Sequence, residues 1–271
     1  MSKTVFITGA SSGFGKLSAK KFQAEGWNVV ATMRSPEKEN ELNLLDNVLV
    51  TELDVTKPDT IAIAVKQATE KFGSIDILVN NAGYGTMGPM EAGTDTQIRH
   101  QMEVNFFGLI NVTKGVLPQM RAQKNGTIIN ISSIGGRSTF PYLSLYHATK
   151  FAVEGLTESM QFELNPLGIN LKIVEPGAFN TDFGSRSMEM FDTSQLVDYQ
   201  ENVQKFFKNI ETAMANSGDP QEVADVIYEA ATDKSERLRY PVGEDAIQIL
   251  EGRKQMDDAS YKNMMAGQFL S

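Results

Sequence analysis

The sequence has no cysteine and only two histidines, His100 and His147. Disulfides, thiolate chemistry and cysteine-ligated metals are therefore excluded, and two histidines are too few to suggest a metal centre. No block of basic residues occurs, and the net charge is -9. A nucleic acid or an anionic membrane surface is accordingly not an expected partner. No apolar run approaches the roughly 18 residues that span a bilayer. The opening stretch, MSKTVFITGASSG, has too short an apolar run for a signal peptide, so a soluble, cytoplasmic protein is expected. Linkers, repeats and composition shifts that would divide the 271 residues into domains are also missing.

The sequence does contain an alternation of strands and helices. KTVFIT, NVVATM, NVLVTEL, IDILVN, GTIINIS and INLKIVE read as six strands, each nearly all apolar rather than alternating. Helical stretches separate them, including one long helix expected over residues 95–121 and another running to about Asn165. Strands apolar on both faces and separated by helices predict a parallel sheet covered on both sides. A polar stretch at about 178–217, with methionine and phenylalanine scattered through it, reads as a lid over the sheet. RLRYPVG is read as a last strand.

TGASSGFG joins the first strand to its helix and places Gly9, Gly13 and Gly15 in the turn. A glycine-rich turn there lets backbone approach a pyrophosphate and directs helix N-terminal N–H groups at it. The second strand ends VVATMRSPEK, with Arg34 and no acid over residues 31–36. An acid would suit the ribose of NAD, whereas an arginine suits the 2′-phosphate of NADP, so NADP(H) is favoured and NAD(H) stays possible. YHATK places Tyr146 and Lys150 four apart, hence on one helical face. A lysine one turn away, together with a nearby cationic nicotinamide ring, would lower the phenol pKa from about 10 and make a proton carrier of it. Ser133 ends the fifth strand, thirteen residues before Tyr146, and Asn105 sits in an apolar helical stretch where an amide needs a partner. His147 would point about 100° away from Tyr146 and is read as structural filling.

These motifs together resemble the compact, single-domain branch of the short-chain dehydrogenases/reductases, from Lys3 to about Asp182: T-G-x-x-x-G-x-G at 8–15, N-N-A-G at 80–83, Asn105, Ser133, Y-x-x-x-K at 146–150 and P-G at 176–177. The resemblance implies an α/β single-domain doubly wound Rossmann fold, its central parallel sheet flanked by helices on both faces. It implies that Tyr146 is the acid or base, that Lys150 lowers its pKa and holds the nicotinamide ribose, and that Ser133 bonds the substrate oxygen. Asn105 would hold a water linking Lys150 to solvent. The turn residues Gly9, Ser11, Ser12, Gly13, Phe14 and Gly15 would hold the cofactor. Asn81, Ala82 and Gly83 would line its adenosine side with Asp54 and Val55, although Asp54 also suits a helix cap. Pro176, Gly177 and Thr181 would meet the nicotinamide end. The implied activity is interconversion of a ketone or aldehyde with an alcohol, in a homodimer or homotetramer. The methionines and aromatics of the lid, facing Phe140, Tyr142 and Leu143, with no lysine or arginine over residues 140–145 and Arg186 alone between 179 and 204, suit an apolar substrate or simply lid packing. An NAD-dependent alcohol dehydrogenase and a noncatalytic dinucleotide sensor are the rival readings.

Overall fold

Strands buried on both faces must be covered on both faces. The computed structural model describes residues 2–180, 187–215 and 217–271. Its main strands are β1 (Thr4–Ile7), β2 (Asn28–Met33), β3 (Val48–Glu52), β4 (Ile77–Asn80), β6 (Gly126–Ile131), β7 (Ile169–Pro176) and β9 (Arg239–Val242), while β5 (Gly85–Met87) and β8 (Met188–Met190) form a separate pair. The main sheet has the order β3-β2-β1-β4-β6-β7-β9 and is parallel throughout. Within β1, Val5 and Ile7 point to one face, onto α1 (Gly13–Ala24) and α7 (Pro220–Thr232), where Phe22 and Ile227 complete the core. Phe6 points to the other, onto α2 (Pro58–Phe72) and α4 (Gly108–Gln123), among Ile61, Val112 and Val116. The alternation of side chains along a strand thus serves two apolar layers rather than one.

The expected single helix over 95–121 is two. α3 (Asp95–Met102) starts in a capping box between Thr94 and Gln97 and ends in a wide π-turn over Glu103–Phe107, after which α4 begins. A π-turn adds one residue to a helical turn and shifts the side chains that follow. Here it holds Asn105, and nothing local in the sequence announces it, because its driving contact is with the distant Tyr84.

Outside the main sheet, β8 pairs in parallel with β5, and Phe191 follows it into a notch beside Gly88 and Gly93. Gly88 has φ 139, and a Cβ there would stand 3.0 Å from Phe191 Cβ. α6 (Gln200–Ala215) packs against α9 (Asp258–Phe269), with α8 (Glu244–Gln255) between the last strand and α9. Phe206, Met87, Leu143, Tyr261, Met265 and Phe269 form their own buried cluster. Of the apolar residues near the expected lid, Phe179 belongs instead to the main core, edge-on to Phe14 at 5.8 Å. Thr181 lies outside the described residues.

The loop from β6 to α5 (Ser144–Leu164) is strapped down by His147. Its Nδ1 donates to the Gly135 carbonyl at 2.8 Å, and its Nε2 accepts from the Phe140 N–H at 2.9 Å. An N–H donor facing Nε2 fixes the proton on Nδ1. Burial brings the imidazole pKa down to about 4. Because the folded-state pKa is below the unfolded one, the unfolded chain takes up the proton first as pH falls. His147 therefore stabilises fully above about pH 6.5, and roughly 3 kcal/mol of that is lost between there and pH 4. Urea unfolding at several pH values should show the stability gap between wild type and His147→Gln shrinking over this window; a gap that stays constant would contradict the buried, neutral imidazole.

Candidate active site

Strand order reverses between β1 and β4, and a crevice opens beyond their carboxyl ends. Thr8, just past β1, accepts at its hydroxyl from the N–H groups of Asn81 and Ala82, each at 3.0 Å. The Asn81 amide donates back to the carbonyls of Thr8 and Gly9, at 2.9 and 3.1 Å. Asn81 is thus a brace for the glycine turn, and its amide donors are directed at protein rather than outward. Gly9 has φ 67, and a Cβ on Gly15 would stand 2.3 Å from the Gly9 carbonyl oxygen. The turn is therefore compact enough to leave the start of α1 open. Ser12 occupies the N-cap, yet its side chain makes no capping bond, and Ser11 is exposed. The first N–H groups of α1 and the two serine hydroxyls form a cradle suited to a pyrophosphate.

At the end of β2, Arg34 is exposed and makes no hydrogen bond or ion pair among the described residues. The nearby Glu39 is buried and turned inward, accepting from the N–H groups of Glu41 and Leu42 and pairing with Lys16 at 3.3 Å. The Asp54 carboxylate is close enough to Arg34 to be stabilised by its charge. Asp54 follows β3, and its Oδ1 accepts from the N–H and hydroxyl of Thr56 at 3.0 and 2.7 Å. These bonds outweigh partial burial and hold its carboxyl below the usual range. Val55 beside it is buried.

Tyr146 and Lys150 lie on one face of α5, with the Lys150 ammonium 5.7 Å from the Tyr146 ring centre. Ser133, the N-cap of a short turn after β6, is hydrogen-bonded to the Tyr146 hydroxyl and accepts from the Gly135 N–H at 3.0 Å. Ser132 points elsewhere: its hydroxyl is buried and lacks a hydrogen-bond partner among the described residues. Lys150 is buried and donates to the Ile131 carbonyl at 2.8 Å. Asn105 accepts from the Tyr84 N–H at 3.0 Å and donates to the Tyr84 carbonyl and the Thr149 hydroxyl, at 2.8 and 3.1 Å. Its side chain thus clasps the chain after β4 to α5. A Cβ on Gly83 would stand 3.2 Å from Asn105 Oδ1 and 4.0 Å from Lys150 Nζ, so β4, the π-turn and α5 converge on one point.

Burial pushes Tyr146 up to about 12, against the Ser133 hydrogen bond, and brings Lys150 down to about 8, against the nearby Glu154 carboxylate. Desolvation outweighs the attraction between the pair.

Several supporting residues carry no motif. Arg137, in the loop that follows Ser133, pairs with the buried Glu175 at 3.2 Å. Arg239 pairs with Glu154 at 3.0 Å and with Glu158. Burial, and then the Glu154 charge, raise the Glu175 carboxyl. Asp245, at the start of α8, accepts from the Ala178 N–H at 2.8 Å and so holds the turn containing Pro176 and Gly177. Paired charges in β7 and β9 are the one sequence signal for the ionic cluster; Asp245 has none, since its contact spans 67 residues.

Residues 3–192 match the short chain dehydrogenase family. The chain is 42% identical over 251 residues to YusZ, an uncharacterized oxidoreductase of Bacillus subtilis, with 89% of each protein covered. It is 38% identical over 246 residues to the 3-ketodihydrosphingosine reductase of Bacteroides thetaiotaomicron, covering 91% of this chain and 89% of that one. Among solved structures, a short-chain dehydrogenase from Streptomyces avermitilis superposes with a TM-score of 0.86 at 34% identity, covering 97% and 96% of the two chains. ElxO, solved with NADP bound, superposes with a TM-score of 0.76 at 30% identity, covering 92% of this chain and all of that one. With the parallel sheet and the cradle at its crevice, these matches establish that the chain belongs to the short chain dehydrogenase family and is an NAD(P)-dependent dehydrogenase/reductase.

Proposed function

We propose that the protein is an NADP(H)-dependent oxidoreductase that interconverts a mostly apolar ketone or aldehyde with its alcohol, with Tyr146 as general acid and base. The observation that carries this reading is the meeting of Tyr146, Ser133 and Lys150 beyond the ends of β4 and β6. The cradle at the start of α1 fits a dinucleotide: the Ser12 side chain makes no capping bond among the described residues, and the Gly9–Gly15 approach keeps side chains out of it. Gly9, Ser11, Ser12, Gly13, Phe14 and Gly15 would hold the pyrophosphate side. Asp54, Val55, Ala82 and Gly83 would line the adenosine side, with Asn81 acting through the turn. Lys150, Pro176, Gly177 and Thr181 would meet the nicotinamide side, and Asn105 would serve a water beside Lys150. Nicotinamide supplies or accepts the hydride and, when oxidised, carries a positive charge.

In the direction of reduction, the Tyr146 Oη–H bond breaks and its proton passes to the carbonyl oxygen, while the Ser133 hydroxyl keeps that oxygen in line. Burial holds the Tyr146 pKa up at about 12, so the bound state must bring it down towards physiological pH for the phenol to be an effective acid. The Lys150 ammonium is the protein charge closest to hand, and excluding water strengthens its effect. Tyr146→Phe should lower kcat more than tenfold, a loss above about 1.4 kcal/mol, while NADPH still binds by nicotinamide fluorescence. A variant retaining more than a tenth of wild-type turnover would rule out Tyr146 as proton donor.

Exposed Arg34, with Glu39 turned away from it, supports NADP over NAD. ElxO, with NADP bound, is in keeping with this. An arginine–phosphate bond is worth about 1.5 to 3 kcal/mol. Arg34→Ala should weaken NADPH binding roughly 10- to 150-fold and leave NADH nearly unchanged in a fluorescence titration. Equal losses for both would refute the assignment.

The apolar cluster of β8, α6 and α9 continues to Phe140, Tyr142 and Tyr146, which supports a substrate with an apolar body under a lid at about 178–217. The name of the Bacteroides relative points to a long-chain ketone. Initial rates with a long-chain or alicyclic ketone should exceed those with a small keto acid or sugar; the reverse order would sink this part of the reading. Exposed Phe107, Phe151 and Phe162 on the α4 and α5 side support a homodimer or homotetramer through those helices.

A further inference from the structure

The catalytic loop from Ser133 to Tyr146 is held from outside the part of the chain that matches the family, which ends at residue 192. Tyr261, on α9, is buried, and its hydroxyl makes two bonds to one residue of that loop. It accepts from the Thr139 N–H at 3.1 Å and donates to the Thr139 carbonyl at 2.8 Å. The next N–H, of Phe140, is the one received by His147. On the same face of α9, Phe269 meets the Phe140 ring edge-on at 5.7 Å, and Phe140 stacks on His147 at 5.6 Å. The loop then passes through Tyr142, whose φ of 59 is a left-handed backbone for an aromatic residue. Such a conformation is strained and persists only where the surroundings enforce it. The Tyr142 carbonyl is in turn bonded by the Gly88 N–H at 2.8 Å.

From this geometry we infer that Tyr261 is a positioning residue for the reaction: its hydroxyl fixes the loop that aims Ser133 and Tyr146 at the substrate oxygen and carries the apolar wall at Phe140 and Tyr142. The inference rests on the reading of Tyr146 and Ser133 given above. It makes α9 part of the active site's support without contact with the cofactor cradle. Removing one oxygen from Tyr261 leaves a donor and an acceptor of the loop unpaired while ring packing is kept. A strained loop without its clamp drifts, and displacement by about 1 Å from a remote change can cost as much as 100-fold in rate.

The test compares Tyr261→Phe with Asn209→Ala, which removes a bond from α6 to the Phe269 carbonyl at 3.2 Å and leaves Thr139 untouched. Tyr261→Phe should lower kcat with an apolar ketone roughly 10- to 100-fold with an NADPH dissociation constant within about twofold of wild type. Asn209→Ala should keep kcat within about threefold. Amide hydrogen exchange, followed without substrate, should speed up across residues 134–147 in Tyr261→Phe and not in Asn209→Ala. If Tyr261→Phe is too unstable to assay, Phe269→Leu, which keeps the hydroxyl and loosens the ring contacts to Phe140 and Phe206, should show the same signs at smaller size. Unchanged exchange in the loop, or a loss of turnover matched by an equal loss of NADPH affinity, would overturn the inference. A wild-type protein inactive on every carbonyl tried would instead overturn the proposed function, and the exchange measurement would still decide the role of Tyr261.

Discussion

Everything at this site hangs from one point: the gap where β1 and β4 lie side by side while the chain leaves them in opposite directions across the sheet. Backbone at such a gap cannot complete a ladder, so its polar groups need other partners. Thr8 and Asn81 supply them, each satisfying the other's backbone. With that exchange in place, the glycine turn can stay compact and α1 can present its first turn outward. The residues after β4 then fall where Asn105 can grasp them. The π-turn in the α3–α4 segment is a consequence further along the same line: it aims one amide at Tyr84 and Thr149 together.

The electrostatics of the site follow from its dryness. A phenol and an ammonium removed from water are each pushed towards neutrality, in opposite directions, by the same loss of hydration. The pair is therefore one whose charge states respond strongly to whatever enters beside it. Salt-bridged residues beneath, from Arg137 and Glu175 to Arg239 and Glu154, connect the loop after β6 with β7, β9 and α5. They keep the charged groups nearest the site matched by partners rather than by solvent.

Legibility in the sequence tracked the distance over which each feature is determined. The buried strands, the glycine turn and the Tyr146–Lys150 spacing are local patterns, and the sheet formed from them is the one expected. The break in the 95–121 helix and the bracing role of Asn81 depend on contacts tens of residues away, and no periodicity encodes them. The burial that raises Tyr146 and lowers Lys150 was not legible, because spacing reports proximity and says nothing of burial. The last two helices were missed for a different reason: Tyr261, Met265 and Phe269 recur every four residues after the capping Asp257, a readable signal overlooked among polar neighbours.

The seating of Phe191 between Gly88 and Gly93 has a consequence for recombining this protein with its relatives. A ring seated tightly where two side chains are missing makes β8 with Phe191 and the segment after β5 a matched pair, although about 100 residues separate them. A chimera that exchanges the stretch around Phe191 alone would bring a new side chain to an old notch, or leave the notch void. The natural unit of exchange is therefore not a continuous stretch of sequence but two stretches that must travel together.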